Sequence, residues 1–375
     1  MINLKSEIEK FDKKNKKPDV YLVANAQDYT QKISEYHIKH SSNSEFFSAD
    51  ELGEIASSLF MIGCYVSIFY TELDFIKFVL DNNSRLDYEN LLILNLSRDG
   101  NFEGKKSLIP AFCDMMGIRY SGSNPFVVSL CRNKFIWSSV LKNHGVSVPD
   151  FLAIKNNIKI GENYIKKDKK LIIKNIFESA SIGLTDKSVV SNLIIDDNFL
   201  KKNDNILIQD YIDGREIEVP FFRIGKEFIV SNPVCLEFSN GEKFLTSISS
   251  DSYNYGFSSL DDISLSENIK EETKHIAEIL DLSVYGRVDY RIDKNNKFYV
   301  IDIATMPYTI SHSSFAYWFK KENLNYSDLY KILLLSTEKK TPPINNNERY
   351  FSNYKIDVWW TSVSINPLER KVQSL

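Results

Sequence analysis

The sequence predicts an α/β layer domain followed by two smaller α+β units, and three observations carry that reading. Strand and helix signals alternate through the first third, the order that a parallel sheet with crossover helices requires. Hydrophobic residues make up 43% and charged residues 26% of the chain, the balance of a globular protein. Its 375 residues suffice for two or three domains, each with its own core.

Residues 1–18 form a lysine-rich, solvated lead-in compatible with a helix. The first strand is Asp19 to Asn25. In the helix that follows, Ser48 is the N-cap and Glu51 lies three residues on, a capping box that satisfies two orphan backbone donors reciprocally. Leu52, Ile55, Ala56, Leu59 and Phe60 mark its apolar face. A strand at 63–69, a helix from Leu73 to Asp81 and a strand from Leu91 to Leu96 come next. A further helix closes near Met116, where Gly117 supplies the stop. The helix from Asn133 to His144 ends at Gly145 ahead of Pro149, and a boundary is placed there. Strands at Phe151–Ile154, Leu171–Lys174, Val189–Ile194 and Ile206–Tyr211 then surround a loop at 175–184. The last unit has strands at 216–222, 227–231, 285–293 and 297–303 and helices near 266–281 and 325–336. A linker, Thr341 to Asn347, leads to a tail whose Trp359 and Trp360 are expected to pack on the C-terminal unit or on a second subunit, since apolar aromatics seldom stay in free tails.

Charge excludes some functions. Lys and Arg number 46 against 50 Asp and Glu, a net −4, so no global positive field attracts nucleic acid or an anionic membrane, and a polyanion must be held locally. The longest weakly polar run, Ser57 to Tyr70, is 14 residues, short of the roughly 20 that span a bilayer. The N-terminus mixes acids and bases with no apolar core segment, which makes the cytoplasm the expected compartment. Cys64, Cys113, Cys131 and Cys235 show no CxxC spacing and sit in apolar runs, so they read as buried free thiols. GxxxxGK[ST], GxGxxG and HExxH are all absent, and His37 with His40 reads as a surface pair.

The most informative segment is 285–304. Asp293 to Phe298 reads as a tight hairpin with Asn295 and Asn296 at the turn positions that need positive φ. The register that follows pairs Val288 with Ile303, Tyr290 with Ile301 and Ile292 with Tyr299 on an apolar face. On the other face Arg287 opposes Ala304 and Asp289 opposes Asp302. Two carboxylates so opposed lie about 4.5–5.5 Å apart at Cβ and repel unless a cation sits between them. Mg²⁺, which takes one or two carboxylates and fills its shell with water and phosphate oxygens, suits such a pair; a solvated acidic face is the other reading. Lys174 followed by a loop of small residues to Leu184 is a second candidate, because small residues expose backbone N–H groups to phosphate; an ordinary connection is the other and commoner reading of such a loop.

In order and spacing these pieces resemble the ATP-grasp carboxylate–amine ligases, in the D-alanine–D-alanine ligase branch. The resemblance runs from about residue 95 to 335. It is carried by Arg98-Asp-Gly-Asn-Phe-Glu-Gly104, Gly117-Ile-Arg-Tyr-Ser-Gly-Ser-Asn124, Asn133-Lys134, Glu178-Ser-Ala-Ser-Ile-Gly183, Ile206 to Glu216, Arg287-Val-Asp289 and Ser311-His-Ser313. It implies an ATP-grasp fold with an N-terminal Rossmann-like domain (1–132), a small lid (133–213), a C-terminal domain (214–340) and an extension (341–375). It further implies that ATP and Mg²⁺ are the cofactors. Lys134, Lys174, Glu178, Ser181, Gln209, Asp210, Ile212 and Glu216 would hold the nucleotide, with Gln209 replacing the usual glutamate; Asp289 and Asp302 would bind the metal. Arg287 and Lys174 would act in catalysis, and Ser313, with Ser311 and His312, would contact substrate.

The implied activity is amide or peptide bond formation through an acyl phosphate. The partners are small-molecule carboxylate and amine substrates, with no nucleic acid and no membrane, and a homodimer is left open. The departures fall at substrate and metal positions more than at nucleotide ones. Ala304 replaces a metal-binding asparagine, Tyr308 replaces a glycine, Ala180 replaces the first lid serine, and no Lys or Arg lies between Phe244 and Ile269. The loop after the first strand also lacks the Gly-Gly and glutamate that read the first alanine. A substrate other than D-alanine is therefore expected. The alternative reading is a degenerate nucleotide-binding module with a regulatory or scaffolding role.

Overall fold

The computed structural model describes residues 2–27, 45–100, 102–161, 169–191, 193–238 and 241–340. His37, His40 and the tail with Trp359 and Trp360 lie outside the described residues. Three sheets account for the architecture.

The first sheet is parallel, in the order β2-β1-β3-β4, with β1 Asp19–Ala24, β2 Tyr65–Phe69, β3 Leu91–Leu96 and β4 Arg119–Tyr120. Its helices are α1 Leu4–Asp12, α2 Ala49–Met61, α3 Glu72–Asn82, α4 Leu108–Met116 and α5 Pro125–Arg132. All six residues of β3 are buried, as a strand covered on both faces demands. One face packs Leu22, Leu92 and Leu94 against α1, α2 and the helix Tyr326–Lys339; the other packs Val23 and Ile93 against Phe75, Val79 and Phe112. Both arms of the Ser48–Glu51 capping box are present. The apolar face of α2 differs from the expectation in one respect: Leu52, Ile55 and Leu59 are buried with Ser58, whereas Phe60 is 74% exposed, since its position is rotated about 100° from Leu59 and falls outside the stripe. Gly117 closes α4 at φ 69°, as read from the sequence.

The second sheet is antiparallel, in the order β6-β5-β9-β7-β8. It is built from β5 Phe151–Lys155, β6 Ile158–Ile160, β7 Leu171–Asn175, β8 Val189–Val190 and β9 Ile206–Asp210, with α6 Lys134–Asn143 and α7 Asp197–Lys202. The strand expected over Val189–Ile194 stops at Val190, because β8 is an edge that pairs β7 only at Leu171 and Ile172. The third sheet runs β13-β12-β10-β14-β15 with β11 beside β10. Its strands are β10 Gly214–Ile224, β11 Glu227–Val230, β12 Val234–Phe238, β13 Tyr255–Ser259, β14 Val284–Asp293 and β15 Phe298–Ala304, and its helices are α8 Ser247–Ser252, α9 Ile263–Ile279, α10 Ser314–Lys321 and α11 Tyr326–Lys339. The sequence reading had no counterpart for β12, β13 or α10. Leu329, Leu333 and Trp318 join the core of the first sheet, which locks the first and third sheets together.

The β14–β15 hairpin corrects the derived register and keeps its consequence. Only Asn296 has positive φ, at 59°; Asn295 instead donates its backbone N–H to Asp293 Oδ1 at 2.8 Å. The turn is therefore a three-residue loop, 294–296, closed by Asp293 N–H donating to the Lys297 carbonyl at 2.9 Å, one residue longer than derived, and the pairs near it are Ile292–Phe298, Arg291–Tyr299 and Tyr290–Val300. A bulge then leaves Ile301 between registers, so that Asp289 opposes Asp302, Val288 opposes Ile303 and Arg287 opposes Ala304. The two departures cancel at the acidic pair. Ile301, expected opposite Tyr290 in the core, lines the cleft instead.

All four cysteines are free and buried. Among the described residues no helix is long and apolar enough to cross a membrane.

Candidate active site

A cleft of about 870 Å³, counting its open mouth, is lined by residues of the second and third sheets. Lys134 enters it because Asn133 caps α6, accepting from Ile136 N at 3.1 Å, which makes Lys134 the first helical residue. Lys174 comes from β7, Gln209 and Asp210 from the end of β9, Glu216 and Glu218 from β10, Arg287 and Asp289 from β14, and Asp302 from β15. Glu178, Ser181 and Ile212 complete the wall. All ten residues assigned above to nucleotide and metal, and Arg287, thus meet in one cleft. Ala180 and Ser181 both hold left-handed backbone, at φ 53° and 56°, a conformation that costs roughly 1–2 kcal/mol per non-glycine residue.

The charges are interlocked. Arg287 donates to both oxygens of Asp289, Nε to Oδ1 at 2.7 Å and Nη2 to Oδ2 at 2.8 Å, and reaches Glu218 Oε1 at 3.0 Å. Lys134 Nζ donates to Asp302 Oδ1 at 2.7 Å. Burial raises the Asp289 carboxyl above its ordinary range, against the pull of Arg287. Burial pushes Asp302 the same way, but the Lys134 ammonium and its hydrogen bond, with Lys174 behind, outweigh it and hold Asp302 low. Lys174 is lowered to about 8 by burial and by repulsion from Lys134. Glu218 is raised to about 7 by burial, Arg287 opposing.

Sequence reasoning missed Arg291. It donates to the carbonyls of Ile212 (2.7 Å), Gly214 (2.7 Å) and Lys243 (2.9 Å), pairs with Glu216 at 3.0 Å and stacks on Tyr211 at 5.2 Å. The signal was there: Arg287, Asp289 and Arg291 recur every second residue, so one strand face carries all three. Gly214 lies beside it, where a Cβ would sit 1.8 Å from the Ile292 carbonyl oxygen.

Two observations test the fit of nucleotide and metal. Gln209 Nε2 and Asp210 Oδ1 are buried in the cleft wall with no hydrogen-bond partner, which suits a ligand with a polar edge. The opposed pair Asp289 and Asp302 supplies the one or two carboxylates that Mg²⁺ needs from a protein. Among the described residues no group of three or more His, Cys, Asp or Glu could hold a metal, and Ala304 offers no side-chain oxygen, so the protein would offer Mg²⁺ this pair of carboxylates and leave the rest of its shell to water and phosphate.

Two compartments adjoin the cleft. One, of about 640 Å³ with its mouth, is walled by Arg98, Lys106, Arg132, Ala304 and Tyr308 and shares Arg287 and Asp302 with the cleft. The other, of about 360 Å³, is aromatic: Tyr253, Tyr255, Phe257 and Tyr308 line it with Glu218, His312 and Ser313. His312 packs 5.0, 4.9 and 5.2 Å from the rings of Tyr253, Tyr255 and Phe257, and burial lowers its pKa. The three substrate candidates part company here. His312 and Ser313 face the compartment, although the Ser313 hydroxyl is engaged as the N-cap of α10, accepting from Ala316 N at 3.2 Å and donating to Ile310 O at 2.6 Å. Ser311 lines neither compartment; its N–H and hydroxyl donate to Glu54 of α2 at 2.8 and 3.1 Å.

Comparison with known proteins points to one family and one fold. The family described as D-ala D-ala ligase C-terminus matches residues 140–335. A D-alanine--D-alanine ligase of Wigglesworthia glossinidia brevipalpis is 29% identical over 242 residues, 59% of this chain and 65% of the relative, so the chain spans just under two thirds of that protein. The D-alanine--D-alanine ligase of Bacillus anthracis, solved in complex with ATP, is similar with a TM-score of 0.61 at 16% identity, covering 85% of this chain and 97% of that one. VanG D-Ala:D-Ser ligase of Enterococcus faecalis is similar with a TM-score of 0.57 at 16% identity, covering 86% and 100%. At these identities the two structures show the shared fold.

Proposed function

The chain belongs to the D-alanine–D-alanine ligase family of ATP-grasp enzymes, whose profile covers more than half of it, and from that premise we propose an ADP-forming ligase that joins a carboxylate to an amine, its substrate an amino acid or peptide other than D-alanine. The observation that carries the reading is the convergence of Lys134, Lys174, Gln209, Glu216, Arg287, Asp289 and Asp302 in one cleft. A substrate carboxylate oxygen attacks the γ-phosphorus of ATP, ADP leaves, and the acyl phosphate is captured by an amine, with loss of phosphate and a proton. Asp289 and Asp302 would hold Mg²⁺, which supplies charge neutralisation on the phosphates. Lys134 and Lys174 place positive charge on the same side of the cleft, and Arg287 stands at its junction with both compartments, placed to donate to an oxyanion at the reacting carbon. Three features support a substrate other than D-alanine. Tyr308 occupies the junction of the two compartments, Glu218 adds a buried carboxylate, and the aromatic walls leave more room than a methyl side chain fills.

The test is ADP release from ATP and Mg²⁺ over a panel of amino acids offered singly and in pairs, with Asp289→Asn as the blank. Amino-acid-dependent ADP is the expected result, with D-alanine a poor substrate. One observation favours the second reading, a nucleotide-binding module without turnover: Asp289 and Asp302 are each already satisfied by a cation, and Ala304 adds no ligand. ATP binding with silence across the whole panel would establish that reading instead.

A further inference from the structure

The compartment beyond the nucleotide cleft carries more positive charge than its own residues balance. Arg98, Lys106 and Arg132 line it, and Lys105 lies directly behind, paired with the same carboxylates. These four cations are 3%, 6%, 7% and 5% exposed for Arg98, Lys106, Arg132 and Lys105. Among the described residues only two carboxylates serve them. Glu45 pairs with Lys105, with Lys106 at 3.2 Å and more loosely with Arg132 at 3.9 Å; Glu178 lies 3.3 Å from Lys105 and 3.7 Å from Arg132. Two positive charges are therefore left over on side chains no more than 7% exposed, an arrangement that is costly until an anion enters.

Arg98 is the clearest case. It sits just past the C-terminal end of β3, where open α/β sheets present ligand loops. Its guanidinium is held between the rings of Tyr308 (4.2 Å) and Phe47 (5.1 Å) and donates through Nη2 to the Met306 carbonyl at 3.1 Å. Among the described residues it has no carboxylate partner, and its Nε is buried without a hydrogen bond, as are Nε and Nη2 of Arg132. Lys106 shows the same excess: burial pushes its ammonium well below the ordinary range, and Arg132, Arg98 and Lys105 add to that push against Glu45. None of the four cations lines the nucleotide cleft, whereas Lys134 and Arg287, which do, already face Asp302, Asp289 and Glu218.

We infer that this compartment holds the carboxylate donor and that the donor carries a second acidic group, read by Arg98 and Arg132 with Lys106. The inference rests on the ligase reading for the donor's role, but the anion site itself is independent of turnover. With the reacting carboxylate near Arg287, the second acid lies toward Arg98, and a dicarboxylic amino acid or a related diacid meets both ends.

The test is calorimetric titration of glutarate and of butyrate into the full chain with Mg²⁺ and a non-hydrolysable ATP analogue, alongside ADP release with glutamate, aspartate and alanine. Glutarate is expected to bind at least tenfold tighter than butyrate. Arg98→Met and Arg132→Met should each weaken glutarate about ten- to a hundred-fold, the range for a lost charge-assisted hydrogen bond, with butyrate and the nucleotide analogue within about twofold. Circular dichroism checks that each variant folds, and Lys106→Met replaces one that does not. Glutarate binding no tighter than butyrate overturns the inference, as does an equal loss of nucleotide affinity in the variants, which would assign the cations to phosphate. ADP release as fast with alanine as with glutamate overturns it while leaving the ligase intact. Tight glutarate binding with no ADP from any acid upholds the anion site and rejects the ligase reading.

Discussion

The cleft proposed for the nucleotide and the compartments beside it are built differently, and the contrast bears on where Tyr308 and the other departures from the family pattern fall. The cleft's chemistry stands on regular elements: Lys174 on β7, Glu216 and Glu218 on β10, Arg287 and Asp289 on β14, Asp302 on β15, and Lys134 at the start of α6. Hydrogen-bonded register sets where such side chains point, so each is held by the sheet as a whole. The compartments draw on strand ends and connections: Arg98 and Lys106 after β3, Tyr253 after α8, and Tyr308 to Ser313 after β15. Loops tolerate change without loss of the core, and specificity is free to diverge there while the phosphate chemistry stays put.

The contrast can be broken most directly at the strands. Asp289→Asn removes a carboxylate from the opposed pair but leaves Arg287 its contact with Glu218, so turnover should fall on the order of 10²–10³-fold while the melting temperature stays nearly unchanged; ADP release and thermal melting measure the two. Retained turnover would remove the cleft from phosphoryl transfer. Gly214→Ala forces a methyl onto the Ile292 carbonyl where β10 meets β14, at a cost of about 1–3 kcal/mol, read as a lowered denaturation midpoint together with weaker ATP binding as Arg291 and Glu216 shift.

Lys174→Met should raise the KM for ATP about ten- to a hundred-fold, one charge-assisted contact. The same residue carries a pH signature. With its folded value near 8 against an ordinary 10.5, the free enzyme sheds this proton above pH 8, so kcat/KM for ATP should decline there, and Lys174→Arg should abolish that limb. The stability effect has the opposite sense. Between about pH 8 and 10.5 the unfolded chain holds a proton the folded one lacks, so this lysine's contribution to stability rises with pH in that window. The smallest effect belongs to Ser48→Ala, which removes an N-cap that does not line the nucleotide cleft; about 1 kcal/mol of stability should be lost, a shift of a few degrees in melting temperature with unchanged nucleotide affinity.

Particular residues show how far reading the chain succeeds. The Ser48–Glu51 box, the Gly117 stop and β3 are visible because each depends on neighbours within a few positions or on a fully buried run. The hairpin shows the limit. Asn295-Asn296 signals a turn, but which residue takes positive φ is settled by Asp293 accepting from Asn295 and Lys297, and the bulge at Ile301 arises from how β15 pairs across its length. Strands β12 and β13 went unread because β12 owes its place to pairing with β10 and β13 follows on it. Arg291 and Glu218 were legible as to face, by their period of two, but not as to partner.

The sequence by itself determined the α/β and α+β order and the ATP-grasp resemblance, because strand alternation and short motifs are local constraints; its pairing of Asp289 with Asp302 holds only because the turn and the bulge at Ile301 shift the register by equal and opposite amounts. Only the tertiary structure decided that Arg287 clamps Asp289 and Glu218 together, that Ser313 serves as a helix cap, and that Glu45, Lys105, Lys106, Arg98 and Arg132 crowd one compartment. Those residues come from segments far apart in the chain, and the charge of a site is a sum over whatever the fold brings within a few ångströms, a quantity that no local pattern contains.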